Sequence, residues 1–181
     1  SDHVSMGIYL FNWKTFKETF ERFFTKNEHC DFVTDILFSL VDEKRVYGYE
    51  HRGDWEYISD YYDYYRLQMD ILDGKLPIWK WKVRTNLEDR DAGFRPSTEI
   101  KKGGVVSDSI VGPGCVIEGT VSHSILFPGT RVEKDACVNN SILMHDVVIS
   151  KGTYLNGVIC DKDVRIGPGI DVPHIIHEQR T

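Results

Sequence analysis

The chain has 181 residues, with 22 Lys and Arg against 28 Asp and Glu, a formal net charge of −6 and a pI near 5.6. That length suits two small domains, and the acidic balance argues against a nucleic acid or an anionic membrane as partner, since either would select a basic face. No apolar run approaches the ~20 residues of a membrane span and no signal-peptide pattern is read; Cys30, Cys115, Cys137 and Cys160 show no CxxC spacing, which fits free thiols in a reducing cytoplasm.

The chain opens without methionine and runs at once into an apolar stretch, so it reads as a fragment of a longer protein. Residues 6–11 are expected to form a buried strand. Trp13 to Phe24 carries aromatics at 13, 16, 20, 23 and 24, one apolar stripe on a charged helix. Asp31 to Val41 repeats that pattern, with Asp31 as its N-cap. Val46-Tyr-Gly-Tyr-Glu50 alternates as a strand does, and a further helix is expected from Ser59 or Asp60 to Leu72, closed by Asp73-Gly74. This order predicts an α/β piece over residues 1–74, too short to close a doubly wound sheet alone. Residues 75–98, with Pro77, Gly93 and Pro96, read as a linker in which Trp79-Lys-Trp-Lys-Val-Arg84 forms an extended arm.

Beyond the linker the sequence repeats. Ile110-Val-Gly-Pro-Gly-Cys-Val-Ile117, Ile125-Leu-Phe-Pro-Gly-Thr-Arg-Val132, Ile142-Leu-Met-His-Asp-Val-Val-Ile149 and Ile159-Cys-Asp-Lys-Asp-Val-Arg-Ile166 align almost column for column, their starts 15, 17 and 17 residues apart. Within them an aliphatic residue returns every six residues, sometimes five: Val111, Ile117, Leu126, Val132, Val138, Leu143, Ile149, Leu155, Cys160, Ile166, Val172. A helix would need a period of 3.6 and a hairpin sheet a strict two. A six-residue beat broken by Gly, Pro, Asn or Asp predicts a parallel β-helix over 99–173, three short strands to a coil, followed by a tail at 174–181. A corner shortened between Ile117 and Leu126 accounts for the first coil's missing two residues. Cys115, Thr130, Ala136, Val147, Thr153 and Val164, four places after an aliphatic, are expected to share the narrow interior. The competing architecture is an antiparallel sandwich of short strands.

Ser5-Met-Gly-Ile-Tyr9, then Asp31-Phe32 with Asp35-Ile36, then Trp55 before an aromatic-rich helix, a Pro-bearing linker and the hexapeptide repeat resemble, in that order, the C-terminal half of the ADP-glucose pyrophosphorylase (glucose-1-phosphate adenylyltransferase) family. The resemblance covers nearly the whole chain. It implies a nucleotidyltransferase-like α/β fragment followed by a left-handed parallel β-helix. It also implies the family's reaction, in which ATP and glucose 1-phosphate give ADP-glucose and pyrophosphate in glycogen synthesis, with Mg²⁺ as the parent family's cofactor. Charge neutralisation and positioning carry such a transfer. By the same resemblance Ser5 and Tyr9 contact the glucose moiety, Asp31 and Phe32 line that pocket, and Trp55 sits beside the metal. Each also has a structural reading: a strand-edge hydroxyl, a core tyrosine, a helix cap, core packing and an aromatic anchor.

Two departures from the family pattern bear on activity. No Gly-rich nucleotide loop is present, since Gly103-Gly104 and the Gly-Pro-Gly turns fall inside the repeat; the fragment alone is expected to be inactive and to hold no cofactor. Where the family has Trp-x-Asp-x-Gly-Thr, this chain has Trp55-Glu-Tyr57-Ile-Ser59-Asp60, so a neutral phenol replaces the metal carboxylate. That resembles the catalytically degenerate paralogue that modulates an active partner. The expected partners are glucose 1-phosphate or ADP-glucose in the full-length parent, and a homo- or hetero-oligomer, a tetramer by resemblance.

Other classes compete. A hexapeptide acyltransferase would need a histidine base, for which His123 and His145 are candidates. A γ-type carbonic anhydrase would need three zinc histidines, which His174 and His177 do not supply. A purely oligomerising solenoid would use exposed coils as contact surfaces. A closer competitor is another sugar-nucleotide pyrophosphorylase such as a mannose-1-phosphate guanylyltransferase; the Ser-Met-Gly-Ile-Tyr strand and the Asp-Phe helix start favour the adenylyl enzyme, and base choice is made in the other half of the family's fold. Lys80, Lys82, Arg84, Lys101 and Lys102 have two readings, a phosphate site and, the one favoured, a solvated basic rim.

Overall fold

The computed structural model describes residues 4–24, 31–77 and 95–173. Cys30, the arm at Trp79–Arg84 and the tail with His174 and His177 lie outside the described residues. By contact the chain divides into two units, Ser1–Tyr57 and Ile58–Thr181.

In the first unit, helix α1 spans Trp13–Phe24. Asn12 Oδ1 accepts the Lys14 amide at 3.0 Å, serving one of the donors a helix start leaves unpaired. The next helical run opens with a π-helical turn, Phe32–Leu37, and continues as α2, Phe38–Glu43. Arg22 of α1 bridges Glu43 at 2.8 Å, and Thr19, Ile36 and Leu40 are buried. Two expected strands are absent among the described residues. Over 6–11 the chain bends at Gly7 (φ +72°), a left-handed conformation that glycine adopts without strain, and Ile8 and Leu10 face solvent. Residues 46–50 form no regular element and pair with nothing described, and Tyr47 and Tyr49 are exposed. Alternation gives a strand its two faces; only a neighbour gives it a ladder.

The second unit opens with α3, Tyr61–Leu72. Asp60 caps it by accepting the Asp63 amide at 2.8 Å, while Asp63 accepts the Ser59 amide at 3.1 Å and hydroxyl at 2.6 Å, a reciprocal cap. Gly74 (φ +75°) ends it, donating to the Ile71 carbonyl as Lys75 donates to Asp70.

From Glu99 the chain winds into a parallel β-helix with three faces. One face stacks Glu99–Ile100, Val116–Ile117, Arg131–Val132, Val148–Ile149 and Arg165–Ile166; the second stacks Val105–Ser107, Thr120–Ser122, Cys137–Asn139, Tyr154–Asn156 and Asp171–Val172. The third stacks Ile110–Val111, Ile125–Leu126, Ile142–Leu143 and Ile159–Cys160, so the columns aligned in the sequence are neighbours in register. All pairings are parallel, which excludes the antiparallel sandwich. The inward aliphatics form one core with Cys115, Ala136 and Val147, and Thr130 and Thr153 are buried as well.

Val121, fully buried, completes the aliphatic series between Ile117 and Leu126. The short corner is therefore Glu118-Gly119, where four residues rather than six separate Ile117 from Val121. Gly119 permits it, because a Cβ there would run into the Ala136 carbonyl. A serine ladder lines another corner: Ser109, Ser124 and Ser141 hydroxyls accept the amides of Ser124, Ser141 and Val158 one coil on. Each hydroxyl also donates to the carbonyl two residues before it.

Ile125 and Ile142 point out of the solenoid yet are buried, at 5% and 0% exposure. On the same solenoid α3 is docked by the Tyr65 hydroxyl, which donates to the Asn140 carbonyl at 2.7 Å. Arg95 and Thr98, in the expected linker, are fastened to the coils: Arg95 grips Asp146 with two hydrogen bonds of 2.6 Å, and the Thr98 hydroxyl donates to the Gly112 carbonyl at 2.6 Å.

Candidate functional site

Four of the five expected sugar-pocket residues gather in the first unit. The bend at Gly7 returns the chain so that Ser5 Oγ lies 2.9 Å from the Tyr9 hydroxyl, and the Gly7 amide donates to the same Oγ at 3.2 Å. The Tyr9 ring meets Phe32 with centroids 5.4 Å apart, and Phe11 packs edge-on against Phe32 at 5.8 Å. Phe11 escaped the sequence reading of the site. Its signal was period two, since an extended chain puts residues 9 and 11 on one side.

Asp31 is placed by its own helix. Its Oδ1 accepts the amides of Val33 (3.0 Å) and Thr34 (2.7 Å) and the Thr34 hydroxyl (3.0 Å). The Thr34 amide and hydroxyl hold this carboxyl below the ordinary aspartate value, outweighing slight desolvation, with help from the Val33 amide. Asp31 is thus an ionised cap one residue from the Phe32 ring. The Trp55 ring stacks on Tyr57 at 6.2 Å.

A hard divalent cation needs several oxygen ligands, carboxylates foremost. Tyr57 is 65% exposed and stacked rather than facing an acidic cluster, and no group of three or more His, Cys, Asp or Glu converges among the described residues. The described residues therefore gather no carboxylate set for a Mg²⁺ ion.

The histidines are accounted for differently than an acyltransferase requires. Both ring nitrogens of His123 are engaged, Nδ1 with Asn140 Oδ1 and Nε2 with Asp73 Oδ1, each at 2.8 Å. Neither ring nitrogen is left without a polar partner, unlike a base poised for substrate. His145 lies edge-on to Phe127 at 5.3 Å. Gly103, Gly114 and Gly169 all adopt positive φ at solenoid corners, where they shape the turns of the coil. At the short corner a notch of about 210 Å³ is lined by Lys102, Lys134, Glu118 and Asp135. The two lysines and two carboxylates of the lining balance in charge, and Lys101 bridges Glu118 at 3.2 Å.

Comparison with known proteins agrees with this division of labour. Residues 1–74 match the nucleotidyl transferase family model and residues 92–179 the GlmU-like C-terminal hexapeptide model. The glucose-1-phosphate adenylyltransferase of Acetivibrio thermocellus is 32% identical over 177 residues, 94% of this chain and 40% of the relative. The enzymes of that name from Bacillus thuringiensis and Bacillus anthracis are 33% identical over 177 residues, 93% of this chain and 45% of theirs. The chain is a relative of glucose-1-phosphate adenylyltransferases. It spans less than half the length of these curated relatives. The nucleotidyl transferase match ends at 74, whereas by contact the boundary falls after Tyr57; α3 is shared between them, transferase by sequence and solenoid by packing. No helix among the described residues is long and apolar enough to cross a membrane.

Proposed function

We propose that this chain is the C-terminal part of a glucose-1-phosphate adenylyltransferase whose full-length parent is a regulatory subunit of glycogen synthesis rather than an independent catalyst. Tyr57 carries the reading: it occupies the position that the family resemblance gives to a metal-binding aspartate, and its exposed phenol has no carboxylate cluster around it among the described residues. Ser5, Tyr9, Asp31, Phe32 and Trp55 are the proposed contacts to glucose 1-phosphate or ADP-glucose. The gathering of the first four supports a retained sugar pocket. The parent acts in the cytoplasm within a homo- or hetero-oligomer, a tetramer by resemblance, and Mg²⁺ is held by a catalytic partner subunit. Its β-helix is left-handed by the same resemblance.

The test is pyrophosphorylase activity of the purified full-length parent, alone and mixed with an active homologous subunit. Negligible turnover alone, with a changed response of the mixture to sugar-phosphate effectors, is the expected result. Robust turnover alone would overturn it. A mixture indistinguishable from the active subunit by itself would leave only the oligomerising reading.

A further inference from the structure

A continuous polar line runs from the end of α3 across three solenoid corners, separate from the sugar pocket. Asp73 Oδ1 lies 2.8 Å from His123 Nε2, and His123 Nδ1 lies 2.8 Å from Asn140 Oδ1. Asn140 Nδ2 donates to Asn156 Oδ1 at 2.8 Å, and Asn156 Nδ2 donates to the Pro173 carbonyl at 2.8 Å.

The far end fixes the direction of the line. A carbonyl can only accept, so Pro173 takes the Asn156 amide. Asn156 then turns its Oδ1 toward Asn140, which must answer with its own amide and turn Oδ1 toward His123. That oxygen requires an N–H at Nδ1. Asp73 requires a second N–H at Nε2, because Lys75 Nζ, 3.2 Å from Asp73 Oδ2, favours the ionised carboxylate. Either neutral tautomer of His123 would set a ring lone pair against an oxygen lone pair at hydrogen-bonding distance. We propose that His123 is held doubly protonated and that this imidazolium is a proton-dependent clasp fastening the end of α3 to the solenoid.

The surrounding charges agree. Asp73 and Lys75 face His123 from the end of α3, Lys75 also bridging Asp70 at 2.7 Å, and Asp108 acts from the coil before. The asparagines on the solenoid side are neutral. The Asp73 hydrogen bond raises the His123 pKa above the ordinary value, against desolvation, with smaller help from Asn140 and from the charges of Asp73 and Asp108. The stabilisation from a raised histidine is complete below the unfolded value of about 6.5 and is lost as pH rises through the folded one. The clasp therefore opens on the alkaline side.

The corner itself offers a conservative control. His123 has φ +46°, and the equivalent positions in neighbouring coils, Asp108, Asn140 and Gly157, are left-handed too. His123→Asn places there the residue the next coil already uses, keeping the backbone and removing the charge. Ring ¹⁵N shifts of the whole chain should show both His123 nitrogens protonated at pH 7 and a midpoint above about 6.5. Asp73→Asn should lower that midpoint, and so should Asn156→Leu, which frees Asn140 to flip. Protection of the Asp73, Gly74 and Lys75 amides from hydrogen exchange, corrected for intrinsic rates, should fall as pH rises in the wild type and stay level in His123→Asn. A wild-type His123 with a bare ring nitrogen at pH 7 would overturn the proposal, as would an unchanged loss of protection in His123→Asn.

Discussion

Asp31 caps its own helix and stands beside Phe32, both proposed sugar contacts. Three donors converge on its Oδ1, so its carboxyl stays ionised below the range where an ordinary aspartate protonates. A depressed carboxylate stabilises above its unfolded pKa of about 3.9, and that contribution disappears as pH falls through the folded value. The Thr34 amide shift should therefore titrate with a midpoint below 3.9; a midpoint at or above it would mean that the cap does not form. Thiols report on the other unit. Burial pushes the Cys160 thiol up to about 11 and raises that of Cys115, whereas Cys137 is only half-buried. A thiolate is the reactive form. Alkylation of the folded protein followed by peptide mass mapping should label Cys137 well before Cys115 and Cys160, and unfolding should erase the difference.

Among the elements, the solenoid coils repeat one environment, and that is why they were legible. Each aliphatic column recurs with the same partners above and below, so the sequence states the same packing rule several times. Val121 slipped through because the rule was applied with its usual spacing at the one corner where it fails. Gly119 makes that failure possible, so Gly119→Ala should strain the corner and cost roughly 1–3 kcal/mol, read from the denaturation midpoint. Leu143→Ala, inside the core cluster and fully buried, should cost about 2–5 kcal/mol. If Leu143→Ala were neutral, the inward columns would be misassigned. The strands expected at 6–11 and 46–50 were misread for a related reason. Alternation is local, but a strand exists only through its neighbour, and a left-handed glycine can bend an extended run without disturbing its pattern. The proposed sugar contacts rest on family resemblance, since a serine, a tyrosine and an aspartate spread over 27 residues have no periodicity to announce them. The clasp at His123 was less legible still. It joins positions 73, 123, 140, 156 and 173, which only the coiling of the solenoid brings into line.

Over the whole chain, two sequence modules and two contact units disagree about one helix. Residues 58–74 carry the nucleotidyl transferase pattern, yet α3 is built into the solenoid unit through Tyr65 and the Asp73–His123 pair. We propose a chain that keeps its sugar contacts but carries Tyr57 where the family resemblance places a metal carboxylate, suited to sensing sugar phosphate without turning it over. The most direct measurement of that claim is pyrophosphorylase turnover of the full-length parent and of its Tyr57→Asp variant, each assayed alone with Mg²⁺. The account predicts turnover near background for the parent and a gain of about tenfold or more for Tyr57→Asp, corresponding to at least ~1.4 kcal/mol of restored transition-state stabilisation. Robust turnover by the parent, unimproved by Tyr57→Asp, would contradict it.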